Sequence, residues 1–220
     1  TTKNSSNLVM NVTNTTPLTY PGYNGGGGRY VVPSAGNIPY TQRLQYPTTN
    51  WVASGSQVFF VSCLLNVSNA GSDPDAHILG LGNDGGGSDY EFLRIHVRSS
   101  GAGFNIGISE GPGTNLASNS AGGIEWGSTV YTLSQTYVVV ARYDYNSVGV
   151  NNDEIRLWVN PVLSSEPSNA SAIATIASGA RGNDILFDSD IVRYLYLNYR
   201  GTGSHTFAVD AIRYARGSNS

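Results

Sequence analysis

Residues 137–161, YVVVARYDYNSVGVNNDEIRLWVNP, constrain the fold more than any other stretch of the chain. Tyr137, Val139, Ala141 and Tyr143 alternate with Val138, Val140 and Arg142; after a polar connector, Ile155, Leu157 and Val159 alternate with Arg156, Trp158 and Asn160. A period of two belongs to strands, so the stretch predicts an antiparallel hairpin with one apolar face. Pro161, which has no N–H to give a ladder, is expected to end the second strand.

The remaining signals agree with an all-β chain. SQVFFVSCLLNVS is apolar almost throughout and reads as a strand buried on both faces or nearly so. HILGLG, YEFLRIHVRS, GFNIGIS, IVRYLYLNYRG and SHTFAVDAIRYARG supply further strands, separated by Gly-rich turns such as NDGGGS. A 3₁₀ or helical turn is expected around Ala170–Ala177, and Trp51 and Trp126 are expected in loops. No segment of useful length holds a 3.6-residue apolar period, and no repeat is visible. Many short strands in 220 residues predict one two-sheet antiparallel β-sandwich, a jelly roll, over residues 17–220. Residues 17–50 carry Pro17, Pro21, Pro33, Pro39 and Pro47 and read as a long irregular surface excursion. Residues 1–16 read as a segment that is flexible, or that donates the short apolar run Leu8–Val12 to a neighbour.

Composition narrows the partners. Charged residues make up 12% of the chain, about half of the roughly 25% usual in globular proteins. The formal net charge is −3, and Lys3 is the sole lysine among 12 basic residues, so no basic patch points to nucleic acid. No apolar run of transmembrane length occurs; if the protein is secreted, this is its mature form. The low charge and the abundance of Gly, Tyr, Asn, Ser and Thr suit an extracellular or cell-surface location. Cys63, the one cysteine, lies in VFFVSCLL and reads as a small core residue.

The hairpin also carries a family likeness. The YxVVxRYDYN-type strand end, the strand NDEIRLWVNP, Glu166-Pro167 after it, the closing FAVDAIRYARG and the early LTYPGYNGGGGRYV follow one another in an order that resembles the concanavalin A-like, LamG-type jelly rolls of bacterial secreted and cell-surface proteins. The likeness runs from about residue 17 to residue 216. It implies the sandwich fold and leaves the activity to be argued from the site.

On YEFLRIHVRS one strand face is mainly apolar, while Tyr90, Arg94, His96 and Arg98 share the other with Phe92. With Tyr194 and Tyr196 from IVRYLYLNY and with Trp126, these form a candidate ligand face, because aromatic platforms beside hydrogen-bonding groups suit sugars. The same residues loosely match the needs of a polysaccharide lyase, namely a Tyr or His base and an Arg to neutralise a uronate. Glycoside hydrolysis fits less well: the E-x-D-x-E pattern of jelly-roll glucanases is absent, and Glu91 is followed two residues later by Leu93.

Two oxygen-rich clusters bear on metal. Asp144, Asn146 and Gly149 match the start of an EF-hand calcium loop, but Val148 and Ile155 break the match, and a turn in which Asn and Asp bond their own backbone explains the sequence as well. Asp73, Asp75, Asp84 and Asp89 flank HILGLG, where the family resemblance implies a structural calcium ion; turn formation is the plain alternative. His77, His96 and His205 are too dispersed for a zinc site.

These readings lead to the expectation of a non-catalytic recognition or adhesion module whose partner is a glycan or a neighbouring surface protein. One alternative is a structural subunit that forms a homo-oligomer or polymer through its N-terminal strand; another is a polysaccharide lyase.

Overall fold

The computed structural model describes residues 10–13, 17–23, 30–33, 44–52, 56–71, 77–84, 89–110, 123–146, 148–149, 152–179, 191–200 and 205–218. Two antiparallel sheets pack face to face. The first has the order β1 (Met10–Thr13), β2 (Tyr30–Pro33), β14 (Thr206–Ser218), β4 (Gln57–Asn69), β10 (Thr136–Tyr145), β11 (Glu154–Val159) and β12 (Ala174–Ile176). The second has the order β3 (Leu44–Val52), β13 (Ile191–Arg200), β5 (His77–Asp84), β6 (Asp89–Ser100), β7 (Gly103–Glu110) and β8 (Glu125–Trp126), with β9 (Tyr131–Thr132) also on β7. This is the expected jelly-roll sandwich, with no α-helix among the described residues.

The predicted hairpin is β10 paired with β11, in register from Val139 opposite Val159 to Asp144 opposite Glu154. Val139, Ala141, Tyr143, Ile155 and Leu157 enter the core from this hairpin, where they meet Phe59, Val61, Cys63 and Leu65 of β4 and Leu81, Leu93, Ile95, Ile106 and Ile108 of the facing sheet. β4 is buried on both sides, as its apolar run predicts, because Leu64 packs outward against Tyr23 and Val138.

Polar atoms fasten the ends of the hairpin. Buried Asp153 accepts from the Tyr143 hydroxyl and, at 2.7 Å, from the Asn146 amide, so one carboxylate ties strand to connector. Asn160 stops β11 before Pro161 does: it adopts φ 53° while exchanging hydrogen bonds with Val138, its amide donating to the Val138 carbonyl at 2.8 Å and its Oδ1 accepting from the Val138 amide at 2.9 Å. Asparagine tolerates that left-handed conformation better than most residues. Trp158 is buried under the following loop, and its indole N–H donates to the Ser168 carbonyl at 2.9 Å, a bond of about 1 kcal/mol net.

The described residues of the first third include strands where the prolines suggest none. β2 and most of β3 fall within the stretch expected to be irregular, and Trp51 belongs to β3, opposite Val192, rather than to a loop. β3 is the edge strand of its sheet, where Pro47 is tolerated because an edge residue needs no second partner, and the β13 pairing shifts register nearby. Within the N-terminal segment, Met10–Thr13 pairs with β2 of the same chain, and the rest of residues 1–16 lies outside the described residues. The expected 3₁₀ turn is Asn169–Ser171, with β12 directly after it. Trp126 belongs to the two-residue strand β8.

Cys63 is buried in the core, and desolvation pushes its thiol up from about 9.0 to about 12. The folded protein should therefore resist iodoacetamide at pH 8 and become labelled only in denaturant. Above about pH 9 the unfolded thiol loses its proton while the folded one keeps it, so stability falls as pH rises, by at most about 1.4 kcal/mol per pH unit. Buried Tyr23 and half-buried Tyr131, raised chiefly by desolvation, act in the same direction at higher pH. Thermal melts of wild type and Cys63→Ala across pH 8–11 check this, since the variant should lack the thiol's share of the decline.

Candidate functional site

Strand alternation on the second sheet sends Leu79, Leu81, Leu93, Ile95, Val97, Ile106 and Ile108 into the core and turns Arg94 and His96 to the opposite face. Register then gathers residues that are far apart in sequence. Tyr196, Gly80, Arg94 and Ser109 form one row across β13, β5, β6 and β7. Arg200, His77, His96, Gly107 and Trp126 form another, which extends to β8.

The described side chains make a close cluster. His96 Nε2 lies 2.8 Å from Ser109 Oγ, the diagonal neighbour across β6 and β7. The His77 and His96 rings are 5.6 Å apart and edge to face, and the Trp126 ring is 6.3 Å from His96 on its other side. The Arg98 guanidinium lies 4.3 Å from the centre of the Trp126 ring, a cation–π contact. Arg94 is 2% exposed and His96 0%, whereas Arg98 and Trp126 are half-buried at the edge of the face. Gly107 is required by the packing: a Cβ there would sit 2.7 Å from Trp126 Cε3 and 2.8 Å from the Glu125 carbonyl oxygen.

An imidazole whose orientation is held by a hydroxyl can take or give a proton, and a neighbouring guanidinium can pair with an anion. Of the expected ligand residues, Arg94, His96, Arg98 and Trp126 come together here. Tyr90, opposite Asn83, and Tyr194 and Tyr196, opposite Gly82 and Gly80, are placed by backbone register, with their side chains outside the description.

The calcium expectation meets a different chemistry at the hairpin. Asp144 Oδ1 accepts from Arg142 Nε at 2.8 Å and Nη2 at 2.6 Å, and its Oδ2 accepts from Arg156 Nη1 at 2.9 Å. Two guanidinium groups on one carboxylate do not fit a cation site. Asn146 Oδ1 accepts from Ser56 Oγ and from the Val148 amide, both at 3.2 Å, the second being a local turn contact. Asp73 and Asp75 lie outside the described residues; Asp84 and Asp89 face each other at the end of the β5–β6 pair, and their side chains are not described. Among the described residues no group of three His, Cys, Asp or Glu is arranged to hold a metal ion.

Sequence reasoning missed His77 and Ser109. The His77 signal was present: an antiparallel hairpin closing with Asp84 opposite Asp89 returns His77 to His96, as observed. Ser109 had no comparable signal, because its role depends on a diagonal contact.

No protein-family model matches the chain, and no curated protein matches it in sequence. Solved structures do match in fold. The endo-β-1,4-glucuronan lyase of the fungus Trichoderma reesei superposes with a TM-score of 0.52 at 11% identity, covering 100% of this chain and 90% of that one. A marine alginate lyase from Aplysia kurodai gives 0.51 at 14% identity, over 87% of this chain and 84% of that one. An alginate lyase variant solved with an alginate tetrasaccharide gives 0.52 at 8% identity, over 96% of this chain and 100% of that one. At such identities the likeness establishes the jelly-roll fold. The same neighbours, each of them a polysaccharide lyase, count against the expectation of a recognition or adhesion module without catalysis.

Gly107→Ala should displace Trp126 and weaken its contacts with Arg98 and His96. The measurable outcome is a shift in tryptophan emission and a loss of stability of about 1–3 kcal/mol in urea unfolding, whereas an unchanged spectrum and midpoint would contradict the packing described.

Proposed function

We propose that the protein is an extracellular polysaccharide lyase that cleaves a uronate-containing polysaccharide by β-elimination. The observation that carries this reading is the pairing of Arg94 with the His96–Ser109 hydrogen bond on one face of β6 and β7. The jelly-roll fold supports it, as do the low charge of the chain and the absence, among the described residues, of a helix long and apolar enough to cross a membrane. The narrower LamG-type affiliation rests on the hairpin and closing-strand motifs.

In this reaction a base removes the proton at C5 of the uronate. The electrons of that C–H bond form the C4–C5 double bond, and the C4–O bond to the neighbouring sugar breaks as its oxygen takes a proton. The C5 proton becomes acidic enough only when the adjacent carboxylate is neutralised, which is the role of Arg94. His96 removes the proton, with its ring oriented by Ser109. The departing oxygen takes its proton from water; Tyr196, one Gly80 away from Arg94 in the register, and Tyr194, two positions along the same strand, are placed near this row by their backbone. Arg94 and His96 are almost inaccessible in this structure, so substrate entry has to open this face. Arg98 and Trp126 are the members of the cluster that a polymer meets first. No step runs through calcium.

The test is the near-ultraviolet absorbance of the unsaturated uronate product when the full chain is incubated with alginate, glucuronan, pectate and hyaluronan. Absorbance should rise with at least one of them. His96→Ala and Arg94→Ala should each lower kcat by about 10²-fold or more, while Arg98→Ala acts mainly on KM. No rise with any polymer, from protein shown to be folded, would retire the proposal.

A further inference from the structure

The outer face of the first sheet, on the far side of the sandwich from Arg94 and His96, carries a concavity of about 570 Å³ over β4, β10 and β11. A smaller one of about 210 Å³ adjoins it, and Phe60 lines both. The larger volume lies within the roughly 300–1,000 Å³ typical of small-molecule sites. The two together form a trough across the sheet.

Its walls differ in character from end to end. At the β11 end the ion pairs run as a chain: Glu166 to Arg142, Arg142 to Asp144, Asp144 to Arg156, and Arg156 Nη2 to Glu154 Oε1 at 2.5 Å. Arg142 also lies 5.7 Å from the centre of the Phe60 ring. Asn169, exposed on the 3₁₀ turn, adds an amide at the rim. At the other end Tyr23, Pro161 and Leu163 offer apolar surface, and Arg213 lies 4.4 Å from the centre of the Tyr23 ring.

This arrangement selects a ligand class by exclusion. Three carboxylates stand against two guanidinium groups in the polar part, and each guanidinium already has carboxylate partners. With Arg213 at the apolar end the trough carries three guanidinium groups against three carboxylates, so a polyanion would gain no net attraction, and a cation would compete with arginines already in place. A peptide docking by strand addition needs a free sheet edge, but β4 and β10 lie inside the sheet and present only side chains here. What remains is an uncharged ligand with many hydroxyl donors and acceptors and apolar ring faces. We propose that this trough is a binding site for a neutral oligosaccharide, with Phe60 beneath a sugar ring and the ion-pair chain and Asn169 bonding its hydroxyls. The proposal stands apart from the lyase reading and is measured by binding, without turnover.

The experiment titrates the ¹⁵N-labelled 220-residue chain with cellohexaose, mannohexaose and xylohexaose. Saturable amide shifts are expected with at least one of them, clustered at Asn146, Glu154, Arg156 and Asn169, with residues 94–98 unmoved. Phe60→Ala should weaken that binding roughly tenfold, and Asn169→Ala, on an exposed turn outside the ion-pair chain, severalfold at unchanged melting temperature. If Phe60→Ala does not fold, Asn169→Ala alone decides. The proposal is overturned by the absence of saturable shifts with all three sugars, by shifts confined to the Arg94 and His96 face, or by wild-type affinity in Asn169→Ala.

Discussion

The pairing of β4 with β10, with Cys63 opposite Val139 and Phe59 opposite Tyr143, is the constraint on which the rest of the structure depends. A slip of one residue would turn every side chain of β10 to the other face. Arg142 and Asp144 would then enter a core of Phe59, Val61 and Ile155, and Tyr143 would leave it. The cost of burying those charges makes the register all but unique. Because β14 and β11 pair on either side of these two strands, the same choice propagates across the sheet. It also decides which residues face outward to form the ion-pair chain.

The second sheet obeys the same rule with a different result. Its core-facing rows are aliphatic apart from Phe104, while the opposite rows carry Arg94, His96 and His77, buried although polar. Buried polar side chains are retained only where partners satisfy them, and the Ser109 hydroxyl is one such partner. Glycines shape the surface around them: Gly107 admits Trp126 at a distance no side chain would allow, and Gly80 separates the tyrosine strand from the arginine strand. The two faces of the molecule thus present distinct chemistries, a basic and imidazole-bearing cluster on one side and a concavity lined by a chain of ion pairs on the other.

Much of this was legible beforehand. The strands of the hairpin, β4 to β7 and the two closing strands follow from alternation and apolar runs, and Arg94, His96 and Arg98 were assigned to one strand face. Reading failed where a residue's meaning depended on its position in the sheet. Pro47 argued against a strand, yet an edge strand accommodates it. Asp144 and Asn146 looked like the start of a cation loop, because the arginines that claim Asp144 sit at positions 142 and 156, one of them across the hairpin. The histidines looked scattered until antiparallel pairing set His77 beside His96.

The sequence by itself determined the all-β class, the presence of the β10–β11 hairpin, and the apolar faces of its strands and of β6, because a two-residue period and local turn chemistry act over short stretches of chain. Only the tertiary structure decided which faces meet. The His77–His96–Ser109 cluster, the approach of Trp126 to Gly107 and the trough over Phe60 all join residues from different strands. Their contacts depend on how separate strands are ordered and registered, and local periodicity carries no record of that.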